Sequence, residues 1–221
     1  TSFLLFKGYD RLGEYDKAWA AAERAHELHD SSGFNPEKFF KRFEELESFM
    51  SKEIVEALAT GPETTVEPLF IVGNPRTGTS LLEQIMSMHP DIVNGGEMGV
   101  GGLMQLDLGT LTDSFHPYPA NLLDIREPEA NILSQQYFAA TDFFRKDEKI
   151  VTNKALNLDT QLGFLSKIVP SSRAILLNRH PLDNAVSCYS TNLLASGHEY
   201  TNSLETLGKT FIARKRMCKC W

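Results

Sequence analysis

The chain has 221 residues, of which 42% are hydrophobic and 10% are aromatic. This composition can bury a hydrophobic core, which excludes disordered and fibrous proteins. The formal net charge of −7 argues against a general binder of nucleic acids or anionic membranes, although residues 209–221 carry five basic and no acidic side chains. The three cysteines lie between residues 188 and 220, a pattern that fits neither a secreted disulfide framework nor a zinc site.

No apolar run reaches the roughly 20 residues that a membrane-spanning helix needs. The first residues also lack the basic-then-apolar pattern of a secretory signal. We therefore expect no membrane span and a cytoplasmic location.

Residues 1–60 are predicted to be helical. Between Tyr9 and His29, apolar residues and alanines recur every three or four positions, as on one face of an amphipathic helix. The interruption at Gly13 predicts two helices joined by a tight turn. This turn and the alanine-rich helix after it resemble one tetratricopeptide unit, which would be a candidate surface for a protein partner. The alternative is an ordinary helical hairpin.

The rest of this segment continues as helix. A second helix is predicted to begin at Asn35-Pro36, with Pro36 in its first turn. Ser51 is predicted to cap a further short helix that runs to Leu58. The breakers at 60–62 then lead into a linker that ends at Pro68.

From residue 66 the pattern alternates between strands and helices. Strands are predicted at 69–72, 150–151 and 174–177, the first and third of them buried, and helices at 81–88, 129–144, 158–168 and 182–194. Residues 90–120, rich in Gly, Pro, Asp and Thr, are predicted to be mostly loop. The expected fold is α/β, a P-loop-type parallel sheet with helices on both faces, preceded by an α-helical segment. The expected domains are residues 1–60 and 66–221.

The loop after the first strand is the most informative stretch. It reads Gly73-Asn74-Pro75-Arg76-Thr77-Gly78-Thr79-Ser80 and leads directly into a helix. Such a loop wraps backbone N–H groups around an anion at a helix N-terminus, where the helix dipole adds attraction. The glycine spacing is that of a nucleoside-triphosphate loop, but Thr79 stands in place of the usual lysine, which disfavours an ATPase or a kinase. Arg76 supplies the cation instead.

The candidate anion-binding residues in this loop are therefore Arg76, Thr77, Gly78, Thr79 and Ser80. The alternative is a plain strand-to-helix turn in which the Thr and Ser side chains only cap the helix.

A second basic motif follows the strand at 174–177. Arg179 lies at the carboxyl end of this strand, where α/β sheets bind ligands, and Pro181 opens the next helix. Ser187 is one to two turns into that helix. Arg179 and Ser187 are therefore predicted to bind one phosphate, one by charge and the other by its hydroxyl.

Together these motifs resemble the sulfotransferase superfamily, and within it the tyrosylprotein-sulfotransferase-like branch. Residues 75–80 are similar to the loop that binds the 5′-phosphosulfate, and Arg179-x7-Ser187 is similar to the motif that binds the 3′-phosphate. The branch is also matched by Gly95-Gly96-Glu97 and Thr152-Asn153-Lys154. The resemblance covers residues 66–194 and implies 3′-phosphoadenosine 5′-phosphosulfate as the sulfuryl donor. It also implies an acceptor alcohol or phenol, with protein tyrosine among the candidates.

The resemblance assigns roles to the site residues. Arg76 and Lys154 would stabilise charge that builds on the donor oxygens, and Glu97 would take the proton of the acceptor hydroxyl, with no metal required. The alternatives are that Glu97 is a solvated loop acid and that Lys154 is an exposed lysine at a strand end. The basic residues 209–219 are expected to form a helix with a solvated face.

Two other functions compete with the sulfotransferase. One is a non-catalytic nucleotide-binding or interaction protein, and the other, disfavoured by Thr79, is a P-loop kinase. Because the chain begins with Thr1 and family members continue past the position of Trp221, we expect the chain to be a fragment whose activity is uncertain. Eukaryotic relatives act in the Golgi lumen behind an N-terminal anchor, which is the alternative location.

Overall fold

The computed structural model describes residues 2–29, 33–194 and 198–220. Within these ranges the α-helices are α1 (Ser2–Arg11), α2 (Tyr15–Glu27), α3 (Pro36–Phe49), α4 (Lys52–Ala57), α5 (Thr79–Met86), α6 (Val100–Thr112), α7 (Glu127–Asp142), α8 (Leu162–Ile168), α9 (Pro181–Tyr189) and α10 (Leu204–Met217). The strands are β1 (Glu67–Gly73), β2 (Ile92–Asn94), β3 (Ile150–Asn153) and β4 (Arg173–Leu177). Short 3-10 turns lie at Ala120–Asp124, Leu158–Thr160 and Glu199–Asn202.

The four strands form one parallel sheet in the order β2-β3-β1-β4. Strand β1 lies between β3 and β4, and its five residues from Pro68 to Val72 are all buried. A strand that is covered on both faces needs such a continuous apolar run rather than an alternating one. Helices flank the sheet and α1–α4 precede it, so the predicted α/β fold class is confirmed.

Parallel pairing places the carboxyl ends of the strands along one edge of the sheet. Gly73 at the end of β1 lies beside Leu177 at the end of β4. Asn94 at the end of β2 lies beside Thr152 near the end of β3. Open α/β sheets bind their ligands outside this edge, so the loops that follow these residues are the first place to look for a site.

The chain divides into two compact units. One comprises the residues up to Arg42 together with Arg179–Lys215, and the other comprises Phe43–Asn178 together with the residues from Arg216 onward. The domain boundaries expected from the sequence, 1–60 and 66–221, stay a prediction.

The first unit contains the predicted helical hairpin. Helices α1 and α2 pack against each other, and Gly13 makes the turn between them with a φ of 75°, in the left-handed region that glycine tolerates best. The core of this unit consists of Ala22, Cys188, Tyr189, Tyr200 and Leu207. Arg214 is only 4% exposed, with its guanidinium 5.8 Å from the centre of the Tyr200 ring. The prediction that the basic residues near the C-terminus are solvated is therefore wrong for Arg214.

The second unit has its own, larger core. Its members come from the sheet and from the helices around it, and the largest fully buried ones are Phe70, Met104, Leu108, Leu122, Leu133, Tyr137, Leu158, Phe164, Leu165 and Ile168.

Two sequence-based predictions in the second unit are wrong. Residues 90–120 are not mostly loop, because they contain β2 and the helix α6. Helix α6 forms in spite of its glycines because Met104 and Leu108, four residues apart on one face, are fully buried in the core. Strand β4 is not buried: it is an edge strand, and Leu176 within it is 46% exposed.

Two further findings hold for the residues that the structure describes. Among them, no helix is both long and apolar enough to cross a bilayer. In the same ranges, no group of three or more His, Cys, Asp and Glu side chains is arranged to hold a metal ion.

The packing around Gly61 generates a stability prediction. A Cβ atom at Gly61 would overlap the backbone carbonyl of Ile168, whereas a Cβ atom at Gly102 in α6 would meet only the Gln161 amide at 3.7 Å. We expect Gly61→Ala to lower the free energy of unfolding by about 1–3 kcal/mol, since the backbone must shift. Gly102→Ala should leave it unchanged or raise it by up to about 1 kcal/mol, because alanine is the better helix former.

Urea denaturation of the two variants beside the wild-type protein measures both effects. Equal stability of the two variants would contradict this account of the packing at Gly61.

Candidate functional site

The loop between β1 and α5 is closely packed around its first glycine. A Cβ atom at Gly73 would come within 2.7 Å of the Thr77 hydroxyl and 2.9 Å of the Leu177 carbonyl oxygen, so only glycine fits. The Thr77 hydroxyl donates a hydrogen bond of 2.7 Å to the Asn74 carbonyl, and the Thr77 N–H donates to the same oxygen. These contacts fold the loop back on itself before the helix begins.

Two residues of this loop have left-handed backbones. Gly78 has a φ of 103°, and Arg76 has a φ of 68°, a conformation that is costly for a residue with a side chain. Backbone strain of this kind concentrates at functional sites and therefore supports a functional reading of Arg76. The Arg76 side chain is exposed.

The start of α5 excludes one alternative. The residue at the N-cap position is Gly78, which has no side chain with which to cap the helix, and Thr79 and Ser80 lie inside the first turn. The interpretation of this loop as a turn whose Thr and Ser side chains cap the helix is therefore wrong. The first N–H groups of a helix have no partner within the helix, and here they lie directly after the left-handed glycine.

The Gly95-Gly96-Glu97 turn is attached to the end of β3. The Lys154 N–H donates to the Gly96 carbonyl at 2.8 Å, and the Gly95 N–H donates to the Thr152 hydroxyl at 3.3 Å. A Cβ atom at Gly95 would overlap the Thr152 carbonyl oxygen. The turn can therefore approach β3 this closely only with glycine at this position.

These contacts bring together two residues that the sequence singled out. The Lys154 ammonium donates to the Glu97 carboxylate at 3.0 Å, although the residues are 57 positions apart. The Lys154 side chain is only 12% exposed, so the interpretation of Lys154 as an exposed lysine is wrong. The Glu97 side chain is 58% exposed, which leaves its carboxylate open to a substrate.

The cluster has a third member, Glu83, which the local sequence patterns did not indicate. Its side chain is 4% exposed, and its Oε2 atom lies 4.0 Å from the Lys154 ammonium. Its Oε1 atom accepts hydrogen bonds from the Thr152 hydroxyl at 2.6 Å and from the Gly96 N–H at 3.0 Å. Glu83 is the single charged residue of α5, and an isolated charge in an otherwise apolar helix is the signal that could have marked it.

The charges of the cluster explain how Lys154 is buried. An ammonium removed from water is costly unless opposite charge lies beside it, and here two carboxylates do so. The formal charges of the two carboxylates and the one ammonium sum to −1.

One further buried polar residue, Asn153, supports the end of β3. Asn153 donates from its amide to the Met98 carbonyl at 3.2 Å and accepts from the Ala155 N–H at 2.9 Å, which fixes the chain on both sides of Lys154.

Burial raises the pKa of the Tyr137 phenol well above its ordinary range. Tyr137 is therefore neutral at physiological pH and is no candidate for the general base.

Arg179 and Ser187 belong to the first unit. Arg179 is exposed and lies two residues past the end of β4, and Pro181 is the first residue of α9, as the sequence predicted. Ser187 is half-buried within α9, and its carbonyl accepts a hydrogen bond of 2.7 Å from the Thr191 hydroxyl. The joint binding of one phosphate by Arg179 and Ser187 stays a prediction.

Two curated proteins resemble the chain. It is 25% identical over 200 residues to an uncharacterized protein of Aquifex aeolicus, a match that covers 88% of this chain and 26% of the relative. It is 28% identical over 136 residues to the nodulation protein NoeE of Sinorhizobium fredii, which covers 55% of this chain and 31% of that relative. The chain thus spans about a quarter to a third of the length of these two relatives.

A family comparison covers the sheet and the loops at its carboxyl edge. Residues 68–217 match the model of the Sulfotransferase family, and this range includes the Gly73–Ser80 loop, Glu83, Glu97, Lys154, Arg179 and Ser187. The match spans more than half of the 221 residues. The chain therefore belongs to the sulfotransferase family.

Proposed function

We propose that this protein transfers a sulfuryl group from 3′-phosphoadenosine 5′-phosphosulfate to the hydroxyl of an acceptor alcohol or phenol. The observation that carries the proposal is the ion pair of Lys154 with Glu97, a cation and a base 3.0 Å apart at the carboxyl edge of the sheet. The loop from Gly73 to Ser80 follows β1 of the same sheet and therefore begins at this edge.

The loop suits the 5′-phosphosulfate of the donor. Its tight folding at Gly73 and its left-handed turn at Gly78 leave the first N–H groups of α5 available to an anion, and the helix dipole favours negative charge there. Arg76 adds a guanidinium, and Thr77, Thr79 and Ser80 add hydroxyl groups that can donate to phosphate or sulfate oxygens.

The donor supplies an activated sulfuryl group. In the transfer, the acceptor oxygen forms a bond to sulfur, and the bond between sulfur and the bridging phosphate oxygen breaks. The electron pair of that bond leaves with the phosphate, so the products are a sulfate ester and adenosine 3′,5′-bisphosphate. Arg76 and Lys154 lower the barrier by stabilising the negative charge that develops on the donor oxygens.

Glu97 takes the proton that the acceptor hydroxyl loses. Its carboxylate is exposed enough to reach an acceptor and is held by a turn that is hydrogen-bonded to β3. General bases of this kind contribute about 10²- to 10⁴-fold to the rate. Lys154 donates to Glu97, so donor binding would attract the ammonium toward the phosphosulfate and release the carboxylate for its proton.

The 3′-phosphate of the donor is assigned to Arg179 and Ser187. This assignment rests on the similarity of Arg179-x7-Ser187 to the family's 3′-phosphate-binding motif. The guanidinium would supply positive charge, and the hydroxyl would donate a directional hydrogen bond. Protein tyrosine as the acceptor, a protein partner at α1 and α2, and a cytoplasmic location are further expectations from the sequence.

The first prediction concerns the choice of nucleotide. Adenosine 3′,5′-bisphosphate at about 100 times its Kd should stabilise the protein by about 2.7 kcal/mol, a rise in Tm of about 5–10 °C for a chain of this size. ATP with Mg²⁺ at the same concentration should raise the Tm less, because Thr79 replaces the lysine that holds the β- and γ-phosphates. A larger shift with ATP would contradict the proposal.

Arg76→Ala should weaken the binding of adenosine 3′,5′-bisphosphate about 10- to 100-fold, the value of one charge-assisted hydrogen bond of about 1.5–3 kcal/mol. Isothermal titration calorimetry measures this change. Arg24→Ala is the control, since Arg24 forms a surface ion pair with the exposed Glu27 and its loss should leave the Kd unchanged.

Glu97→Gln should lower kcat by about 10²- to 10⁴-fold and change the Kd for adenosine 3′,5′-bisphosphate less than about threefold. The glutamine keeps the size of the side chain and removes only the base. Glu56→Gln provides a matched control, because Glu56 also pairs with a lysine, Lys52, but at the exposed surface of α4. Weakened donor binding in Glu97→Gln, with kcat retained, would assign Glu97 to binding instead.

Arg179→Ala tests whether Arg179 binds the 3′-phosphate or another part of the nucleotide. We expect the Kd for adenosine 3′,5′-bisphosphate to rise about tenfold or more, and the Kd for adenosine 5′-monophosphate, which lacks the 3′-phosphate, to stay within about twofold. Ser187→Ala should show the same selectivity with a smaller effect. Equal losses for both nucleotides would place Arg179 elsewhere in the site.

A further inference from the structure

Glu83 is a buried carboxylate whose bonds join three separate parts of the second unit. It lies on α5, the helix that begins at the end of the Gly73–Ser80 loop. Its Oε1 atom accepts from the Thr152 hydroxyl at the end of β3 and from the Gly96 N–H in the turn that carries Glu97. Its Oε2 atom faces the Lys154 ammonium at 4.0 Å.

A buried carboxylate is retained only where its environment compensates the cost of removing it from water. The compensation here comes from one hydroxyl, one backbone N–H and one ammonium, all from residues that are at least 13 positions away in the chain. These bonds restrain the Gly96 turn and the Lys154 ammonium relative to α5. Because α5 begins at the Gly73–Ser80 loop, the turn and the ammonium are restrained relative to that loop as well.

Lys154 has two carboxylate neighbours that would behave differently during the reaction. Glu97 becomes neutral when it captures the proton of the acceptor, and a neutral carboxyl group attracts the ammonium much less. Glu83 is 3% exposed, and its Oε1 atom is bound to the Thr152 hydroxyl and the Gly96 N–H, so its carboxylate does not reach the acceptor and takes no part in this proton transfer.

We propose that Glu83 is a positioning residue for sulfuryl transfer. It holds the Lys154 ammonium and the Gly96–Glu97 turn in a fixed position relative to the Gly73–Ser80 loop while Glu97 changes its charge. The proposal rests on the proposed function. Glu83 itself touches neither donor nor acceptor, and it acts through Lys154 and through the Gly96 N–H.

Glu83→Gln tests the proposal. The glutamine keeps one carbonyl oxygen for Thr152 and Gly96 but replaces the negative charge that faces Lys154 with a neutral amide. We expect kcat to fall about 10- to 100-fold, the range typical of groups that orient reacting residues. The Kd for adenosine 3′,5′-bisphosphate should change less than about threefold, since Glu83 does not contact the nucleotide.

A double-mutant cycle separates positioning from folding. In a Lys154→Met background, Glu83→Gln should lower kcat by less than about twofold further, because the ammonium that it positions is already absent. Asp159→Asn is the matched control for loss of a buried carboxylate: Asp159 is 2% exposed and lies in the 3-10 turn at Leu158–Thr160, and its variant should keep the wild-type kcat.

A second readout does not depend on catalysis. The Gly96 amide should exchange its hydrogen at least about tenfold faster in Glu83→Ala than in the wild-type protein, because it loses a charged acceptor. Wild-type kcat in Glu83→Gln, a full additional loss in the Lys154→Met background, or unchanged Gly96 exchange in Glu83→Ala would each overturn the positioning role alone. A wild-type protein that binds no adenosine 3′,5′-bisphosphate and transfers no sulfuryl group would instead overturn the proposed function, and this role with it.

Discussion

The hydrogen bond of 2.6 Å between the Thr152 hydroxyl and the Glu83 carboxylate is the interaction on which the candidate site depends. Thr152 belongs to β3, and Glu83 belongs to the helix that follows β1, so this bond connects the carboxyl ends of two neighbouring parallel strands. The same carboxylate binds the Gly96 N–H and faces Lys154. Without the Glu83 carboxylate, the turn that carries Glu97 would lose its hydrogen bond to α5 and keep those to Thr152 and Lys154.

The sheet explains why such a connection can form at all. In a parallel sheet every strand ends at the same edge, and the residues that follow each strand are therefore gathered although they are far apart in the sequence. Here the edge brings together the Gly73–Ser80 loop after β1, a glycine turn with a carboxylate after β2, and a lysine after β3. The proposed base Glu97, the buried cation Lys154 and the proposed anion-binding loop would together meet the needs of sulfuryl transfer, and membership in the sulfotransferase family agrees with that chemistry.

Local sequence signals predicted the parts of this arrangement that local forces determine. The apolar run of β1, the glycines of the next loop and the Pro at the start of α9 each act within a few residues, and the elements that they predicted are present. The fold class followed from the alternation of these elements. The family resemblance assigned Glu97 and Lys154 to one site with different roles, as base and as cation, but it did not predict their contact.

The failures come from contacts between distant residues. Helix α6 was missed because its glycines lower helix propensity, while the burial of Met104 and Leu108 that stabilises it depends on the whole core. Glu83 was missed because its partner Thr152 lies 69 positions away. The exposure of β4 follows from its place at the edge of the sheet, which no property of its four apolar residues reveals.

The central claim is that a sulfuryl group, and not a phosphoryl group, is transferred at this site. The most direct measurement incubates the protein with 3′-phosphoadenosine 5′-phosphosulfate carrying labelled sulfur and a mixture of phenol, alcohol and tyrosine-peptide acceptors. We predict labelled sulfate ester on at least one acceptor, with an equal amount of adenosine 3′,5′-bisphosphate released and both products lost in Glu97→Gln. No labelled ester from the donor, together with phosphorylated acceptor when ATP is supplied instead, would contradict the claim.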